Sequence, residues 1–170
     1  MTTYQLITTY QPTDSIVQYG DGVFETMLGI EDSVHHWDYH WARLSQSCQR
    51  LQIIPPSQQS LLEQLQGALS QQGNDYSVIK MVVSRGKGLR AYRSHPEQPC
   101  YVQFSLAPFV FDASRYQQGI SVRICQTRLA QQPLLAGMKH LNRLEYIMAR
   151  REIEDSQFDE GLLLDYDRHV

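Results

Sequence analysis

No stretch of this 170-residue sequence approaches the roughly 18 apolar residues that a membrane-spanning helix requires, so a helical membrane protein is not expected. Cysteine is scarce. Cys48, Cys100 and Cys125 are odd in number and widely spaced, which argues against both a disulfide framework and a zinc knuckle. Charge is also sparse and nearly balanced, with 15 Lys and Arg against 18 Asp and Glu. The resulting net charge of -3 offers no basic footprint for a nucleic-acid backbone, so nucleic acid is not an expected partner. The opening MTTYQLITTYQPTD lacks the basic start and unbroken apolar run of a signal peptide, and the expectation is a soluble cytoplasmic protein. His35, His36 and His40 lie close together, but no Cys, Asp or Glu stands at a recognised ligand spacing beside them, so no metal is expected. Internal repeats and low-complexity segments are absent apart from a scatter of glutamines.

What is present is the composition of a folded chain, 42% hydrophobic, with punctuated periodicity. Tyr4 to Thr9 reads as a short strand, a turn follows at Pro12 to Ser15, and GDGVFETMLGIEDSV reads as a hairpin around Glu31 and Asp32. Trp37, Trp41, Leu44, Cys48 and Leu51 then form one apolar stripe at helical spacing, stopped by Pro55 and Pro56. Ser57 is placed to cap a second helix carrying Leu61, Leu62, Leu65, Ala68 and Leu69, with Gly73 as its end signal. Three strand-like runs follow, YSVIKMVVSRG, CYVQFSLAPF and GISVRICQT, then a helix from about Lys139 to Glu154 and a last strand, GLLLD. Strands interrupted by paired helices predict an α+β protein, with a boundary near Phe109 to Gln118, where the polar segment FDASRYQQ separates two strands.

Several residues could carry chemistry. Lys139 follows Gly137 at the opening of the expected helix, where the helix dipole does not favour a cation. A solvated lysine is the ordinary outcome, but a desolvated one supplies the neutral amine that carbonyl chemistry needs. Arg43 lies about 120° round its helix from Trp37, at about 100° per residue, and is either a solvent-facing arginine or a bidentate phosphate clamp. The loop SRGKGLRAYR lacks the spacing of a phosphate-binding Walker loop, yet its Arg85, Arg90 and Tyr92 could meet an anionic small molecule. Glu25, inside the first long strand, is expected to face solvent.

The order of these blocks is more informative than any one of them. YGDGVFET, HWARLSQSCQRL, SRGKGLRAYR, LAGMKHLNRLEYIMARREIE and DEGLLLD, in that sequence, resemble the aminodeoxychorismate lyases of bacterial folate synthesis, within the class IV or fold-type IV pyridoxal-phosphate enzymes. The resemblance implies a small N-terminal α+β domain, residues 1–110, and the start of a larger C-terminal α/β domain that binds pyridoxal 5'-phosphate, residues 111–170. It places the Schiff-base lysine at Lys139 and the cofactor-phosphate arginine at Arg43. Asn142, also assigned to the cofactor, and Arg143 fit the lyases rather than the transaminases, which usually carry a tyrosine shortly after the lysine. Arg90 and Tyr92 become the candidates for a dianionic substrate, 4-amino-4-deoxychorismate, converted by β-elimination to 4-aminobenzoate and pyruvate. A homodimer is implied, with the active site between the two domains. In the family the strand like GLLLDYDRHV continues into a glutamate for the pyridine nitrogen and an Asn-Leu-Phe segment, so a partial chain is expected. The alternatives are a branched-chain or D-amino-acid transaminase of the same fold and a non-catalytic relative that binds a small anion.

Overall fold

A computed structural model describes residues 4–89, 92–94, 98–154 and 156–170. The chain divides into two units, Met1–Val110 with Met138–Leu141, and Phe111–Gly137 with Asn142–Val170.

The first unit is a five-stranded sheet in the order β1-β5-β4-β2-β3 with helices packed on one face. Its long strands are β2 (Gly22–Ile30), β4 (Tyr76–Ser84) and β5 (Tyr101–Pro108), and its short ones are β1 (Gln5–Leu6) and β3 (Ser33–Val34). Strand β4 runs antiparallel to both β2 and β5, and β1 is parallel to β5. The expected hairpin is present, with β2 and β3 joined across Glu31 and Asp32. Alternation along β2 sends Val23, Glu25 and Met27 to one face and Phe24, Thr26 and Leu28 to the other. The first face meets Ile79, Met81, Val83 and Val102 of the neighbouring strands beneath helices α2 (Trp37–Arg50) and α3 (Gln58–Gln72).

Both helices follow the sequence pattern. Trp37, Leu44 and Cys48 of the α2 stripe are buried, as are Leu61, Leu65 and Leu69 of α3. Each fully buried leucine contributes about 1.5–3 kcal/mol over an exposed one. Ser57 Oγ accepts a bond from Ser60 N–H at the start of α3, and Gly73 ends it at φ 65°. Burial pushes the Cys48 thiol up to about 12 and the Cys100 thiol up to about 11, so both sit far from thiolate reactivity.

The turn expected at Pro12 to Ser15 is present, closed by Asp14 N–H donating to Gln11 O, and it leads into one turn of helix, α1 (Ser15–Tyr19). Helix α1 is too short to stand on propensity and is held by a long-range bond, Ser15 N–H to Gly86 O, and a local one, Ser15 Oγ–H to Asp21 Oδ2.

The second unit is a βαβ arrangement: β6 (Val122–Leu129), α5 (Leu144–Arg151) and β7 (Glu160–Asp165), with β6 and β7 parallel. Its carboxylates organise it. Glu152, just after α5, accepts bonds from Gln126 N–H, Thr127 N–H and Thr127 Oγ–H. Those bonds hold its carboxyl below its ordinary value.

The segment FDASRYQQ, between β5 and β6, contains a short helix, α4 (Ala113–Gln118), which Asp112 Oδ1 caps by accepting from Ser114 N–H. The helix expected from about Lys139 begins only at Leu144, because Lys139 and Leu141 spend main-chain groups on a strand instead.

Candidate active site on strand β2

Strand β2 is paired along one edge by residues 139–141. Phe24 N–H donates to Lys139 O at 2.9 Å, Leu141 N–H donates to Gly22 O at 3.1 Å, and Val23 faces His140 in an antiparallel bridge. Gly137, at φ 78°, turns the chain into this segment, a conformation that side chains rarely adopt. Gly22 lets it approach, since a Cβ there would lie 2.7 Å from Val83 O and 2.9 Å from a Leu141 methyl. Lys139 is therefore a strand-edge residue, and its place at a helix start was a misreading.

The Lys139 side chain is half-buried, with Nζ 5.0 Å from the centroid of the Phe24 ring. Lys80 Nζ, from β4, lies 5.6 Å from the same centroid. An aromatic face attracts each ammonium through its quadrupole, worth about 0.5–1 kcal/mol at exposed sites. Lys80 was missed in the sequence because it reads as an ordinary polar position of an alternating strand.

Glu25, the next residue of β2, is turned to the opposite face and only 1% exposed, against the expectation of a solvent-facing glutamate. Its Oε1 accepts from Arg43 Nε–H at 2.8 Å and its Oε2 from Arg43 Nη2–H at 2.5 Å. His40 Nδ1 lies 2.8 Å from Oε2 and donates, because an ionised carboxylate only accepts. His40 and Arg43 stand three apart on α2 and so share the face turned to β2. The hydrogen-bonded Glu25 carboxylate raises Arg43 further above its ordinary value, against an opposing desolvation. The usable signal for Glu25 was the alternation itself, which puts it between Val23 and Met27 on the apolar face.

Lys139 and Arg43 are thus fastened to consecutive residues of one strand, Phe24 and Glu25. Two further candidates of the first unit, Arg85 and Tyr92, are engaged elsewhere. Arg85 is a structural latch: Nε donates to Asp21 Oδ2 at 2.7 Å, Nη1 to Gln52 O at 3.0 Å, and Nη2 to Leu51 O. It satisfies carbonyls at the end of α2 and so is spent, not poised for an anionic ligand. Tyr92, at φ 61°, is exposed and rests on Tyr19 with ring centroids 4.9 Å apart. Arg90 lies outside the described residues. Asn142 is exposed in the second unit, before α5. A cavity of about 510 Å³ lies beside the end of α2, lined in part by Ser45, Gln49, Ile53 and Pro55, and neither Lys139 nor Arg43 lines it.

The amino-transferase class IV family model matches residues 22–170. A curated Vibrio harveyi protein named aminodeoxychorismate lyase is 35% identical over 159 residues, covering 92% of this chain and 58% of that protein. The crystal structure of 4-amino-4-deoxychorismate lyase from Pseudomonas aeruginosa matches with a TM-score of 0.85 at 39% identity, covering 95% of this chain and 59% of that one. The Escherichia coli branched-chain amino acid aminotransferase matches with a TM-score of 0.78 at 19% identity, covering 94% and 55%, a likeness of fold alone. The chain therefore spans less than two thirds of the length of each of these relatives.

Proposed function

The chain belongs to the amino-transferase class IV family, and from that membership we propose that it acts as a pyridoxal-phosphate-dependent carbon–oxygen lyase, converting 4-amino-4-deoxychorismate to 4-aminobenzoate and pyruvate. The observation that carries the reading is the fastening of Lys139 and Arg43 to adjacent residues of β2, one through a main-chain bond to Phe24 and the other through the Glu25 carboxylate. The lyase-named relatives at 35% and 39% identity favour this chemistry over transamination, for which the matching aminotransferase supports only the fold.

The residues present fit the cofactor. Arg43 keeps three of its five N–H donors clear of Glu25, and its side chain is 43% exposed, which suits a phosphate group. Lys139 offers a primary amine beside an apolar ring that excludes water from one side. When bound, pyridoxal phosphate supplies a sink for the negative charge left on the carbon that bears the substrate amino group. Lys139 Nζ takes the proton from that carbon and delivers a proton to the departing ether oxygen, so one amine serves as base and then as acid. Loss of the enolpyruvyl group leaves an aromatic ring, which drives the elimination forward. Arg90 and Tyr92 are assigned to the substrate carboxylates and Asn142 to the cofactor.

In this reading residues 1–110 form the N-terminal domain and 111–170 begin the cofactor-binding domain. The protein works as a homodimer in the cytoplasm, within folate biosynthesis. No helix among the described residues is long and apolar enough to cross a membrane. The test is pyruvate release from 4-amino-4-deoxychorismate by the intact protein loaded with pyridoxal phosphate. Amino transfer from amino acids to 2-oxo acids without pyruvate release would replace the lyase by a transaminase, and failure to take up the cofactor would leave a non-catalytic relative.

A further inference from the structure

We propose that Glu25 is the positioning residue that aims Arg43 at the cofactor phosphate, with His40 as the second donor that fixes Glu25. The inference rests on the reading of Arg43 given above and adds a residue to which that reading assigned no role.

A carboxylate only 1% exposed is an expensive group to bury, tolerated when paired and fully hydrogen-bonded. An apolar side chain at this position, between Val23 and Met27, would pack the sheet at least as well. Packing therefore does not explain Glu25, whereas its effect on Arg43 does. Nε and Nη2 of Arg43 are both committed to the two oxygens of Glu25. This bidentate pair fixes the plane and rotation of the guanidinium, which a single bond would leave free.

The consequence is a two-sided group. The edge made by Nε and Nη2 faces a buried carboxylate, and the edge made by Nη1 and the second N–H of Nη2 faces away from it. That outer edge presents two parallel donors, the fork that matches phosphate oxygens. Exposure follows the same division, 1% for the Glu25 side chain and 43% for that of Arg43. His40, with a side chain 19% exposed, closes the remaining approach to Oε2. Because Phe24 N–H is bonded to Lys139 O, one strand sets the positions of both the phosphate clamp and the amine.

The test compares pyridoxal phosphate with pyridoxal, which lacks the phosphate, by titration of the intact protein. Glu25→Gln places an amide where Arg43 and His40 both donate, and is expected to weaken pyridoxal phosphate by about 10- to 100-fold, the worth of a hydrogen bond to a charged group. Pyridoxal affinity is expected to stay within about twofold, whereas a general loosening of the fold would weaken both ligands. In an Arg43→Ala background, Glu25→Gln is expected to add nothing, since Glu25 acts through Arg43. Glu25→Met, apolar and of similar length, is the second variant should the glutamine form not fold, and it is expected to show the same selective loss. Equal weakening of both ligands, unchanged pyridoxal phosphate affinity, or a full additive loss in the Arg43→Ala background overturns the positioning role. If Arg43→Ala itself fails to separate the two ligands, the phosphate reading falls, and this inference with it.

Discussion

Lys139 and Phe24 meet twice. The Lys139 carbonyl accepts the Phe24 N–H at 2.9 Å, and the Lys139 ammonium lies 5.0 Å from the Phe24 ring centroid. The amine is therefore placed by strand β2 and not by a helix of its own, so its side chain can be removed without removing the bonds that hold its backbone.

Lys139→Ala is accordingly expected to keep the fold while abolishing both pyruvate release and the visible absorbance of the bound cofactor. A spectrum of the reconstituted variant and an assay for pyruvate check this. An alanine variant that still turns over removes Lys139 from the chemistry.

Gly22→Ala brings a Cβ to 2.7 Å from Val83 O, a backbone atom that cannot swing aside. Overpacking of this kind destabilises by about 1–3 kcal/mol. Urea denaturation should show a lower midpoint at an unchanged slope, and the Leu141 amide, bonded to Gly22 O, should lose hydrogen-exchange protection. A midpoint equal to that of the parent would mean that the 139–141 segment has room to retreat.

Arg85→Lys removes a planar fork that bridges Asp21 and the carbonyls of Leu51 and Gln52, and one ammonium cannot replace it. With the arginine side chain 13% exposed and that of Asp21 22%, the pair is only lightly screened. The expected loss is about 1.5–3 kcal/mol, read as a lower melting temperature. Asp21→Asn in the Arg85→Lys background should then add less than it does alone, and strict additivity would argue against the latch.

Glu152 is expected to give the second unit an acid response. Its folded carboxyl titrates below its ordinary 4.5, so the stabilisation is fully present above that pH and disappears as pH falls through the lower folded value. Hydrogen exchange at the amides of Gln126 and Thr127, both bonded to Glu152, should therefore accelerate beyond the intrinsic rate as the solution is acidified below 4.5. Glu152→Gln should remove most of that pH dependence. Protection that is flat with pH in the parent would rule the carboxylate out as its source.

The parts of this protein legible in the residue order are those written within one turn or one strand. The α2 stripe, the Ser57 cap, the Gly73 stop and the hairpin at Glu31 and Asp32 each follow from residues a few positions apart, and the blocks around Arg43 and Lys139 carried the family resemblance. Short-range spacing misled where a distant partner competed for the same backbone. Residues 139–141 have helical periodicity, yet the edge of β2 claimed their hydrogen bonds, and the helix waited until Leu144.

Tertiary structure decided which partners the polar side chains found. A glutamate in a strand and an arginine after a strand are both polar positions in one dimension. Only folding set α2 over the face of β2, so that His40 and Arg43 could offset the burial of Glu25, and brought the end of α2 against Arg85. A buried charge is stable only when its partners arrive from another element, and periodicity along the chain carries no record of which element that will be.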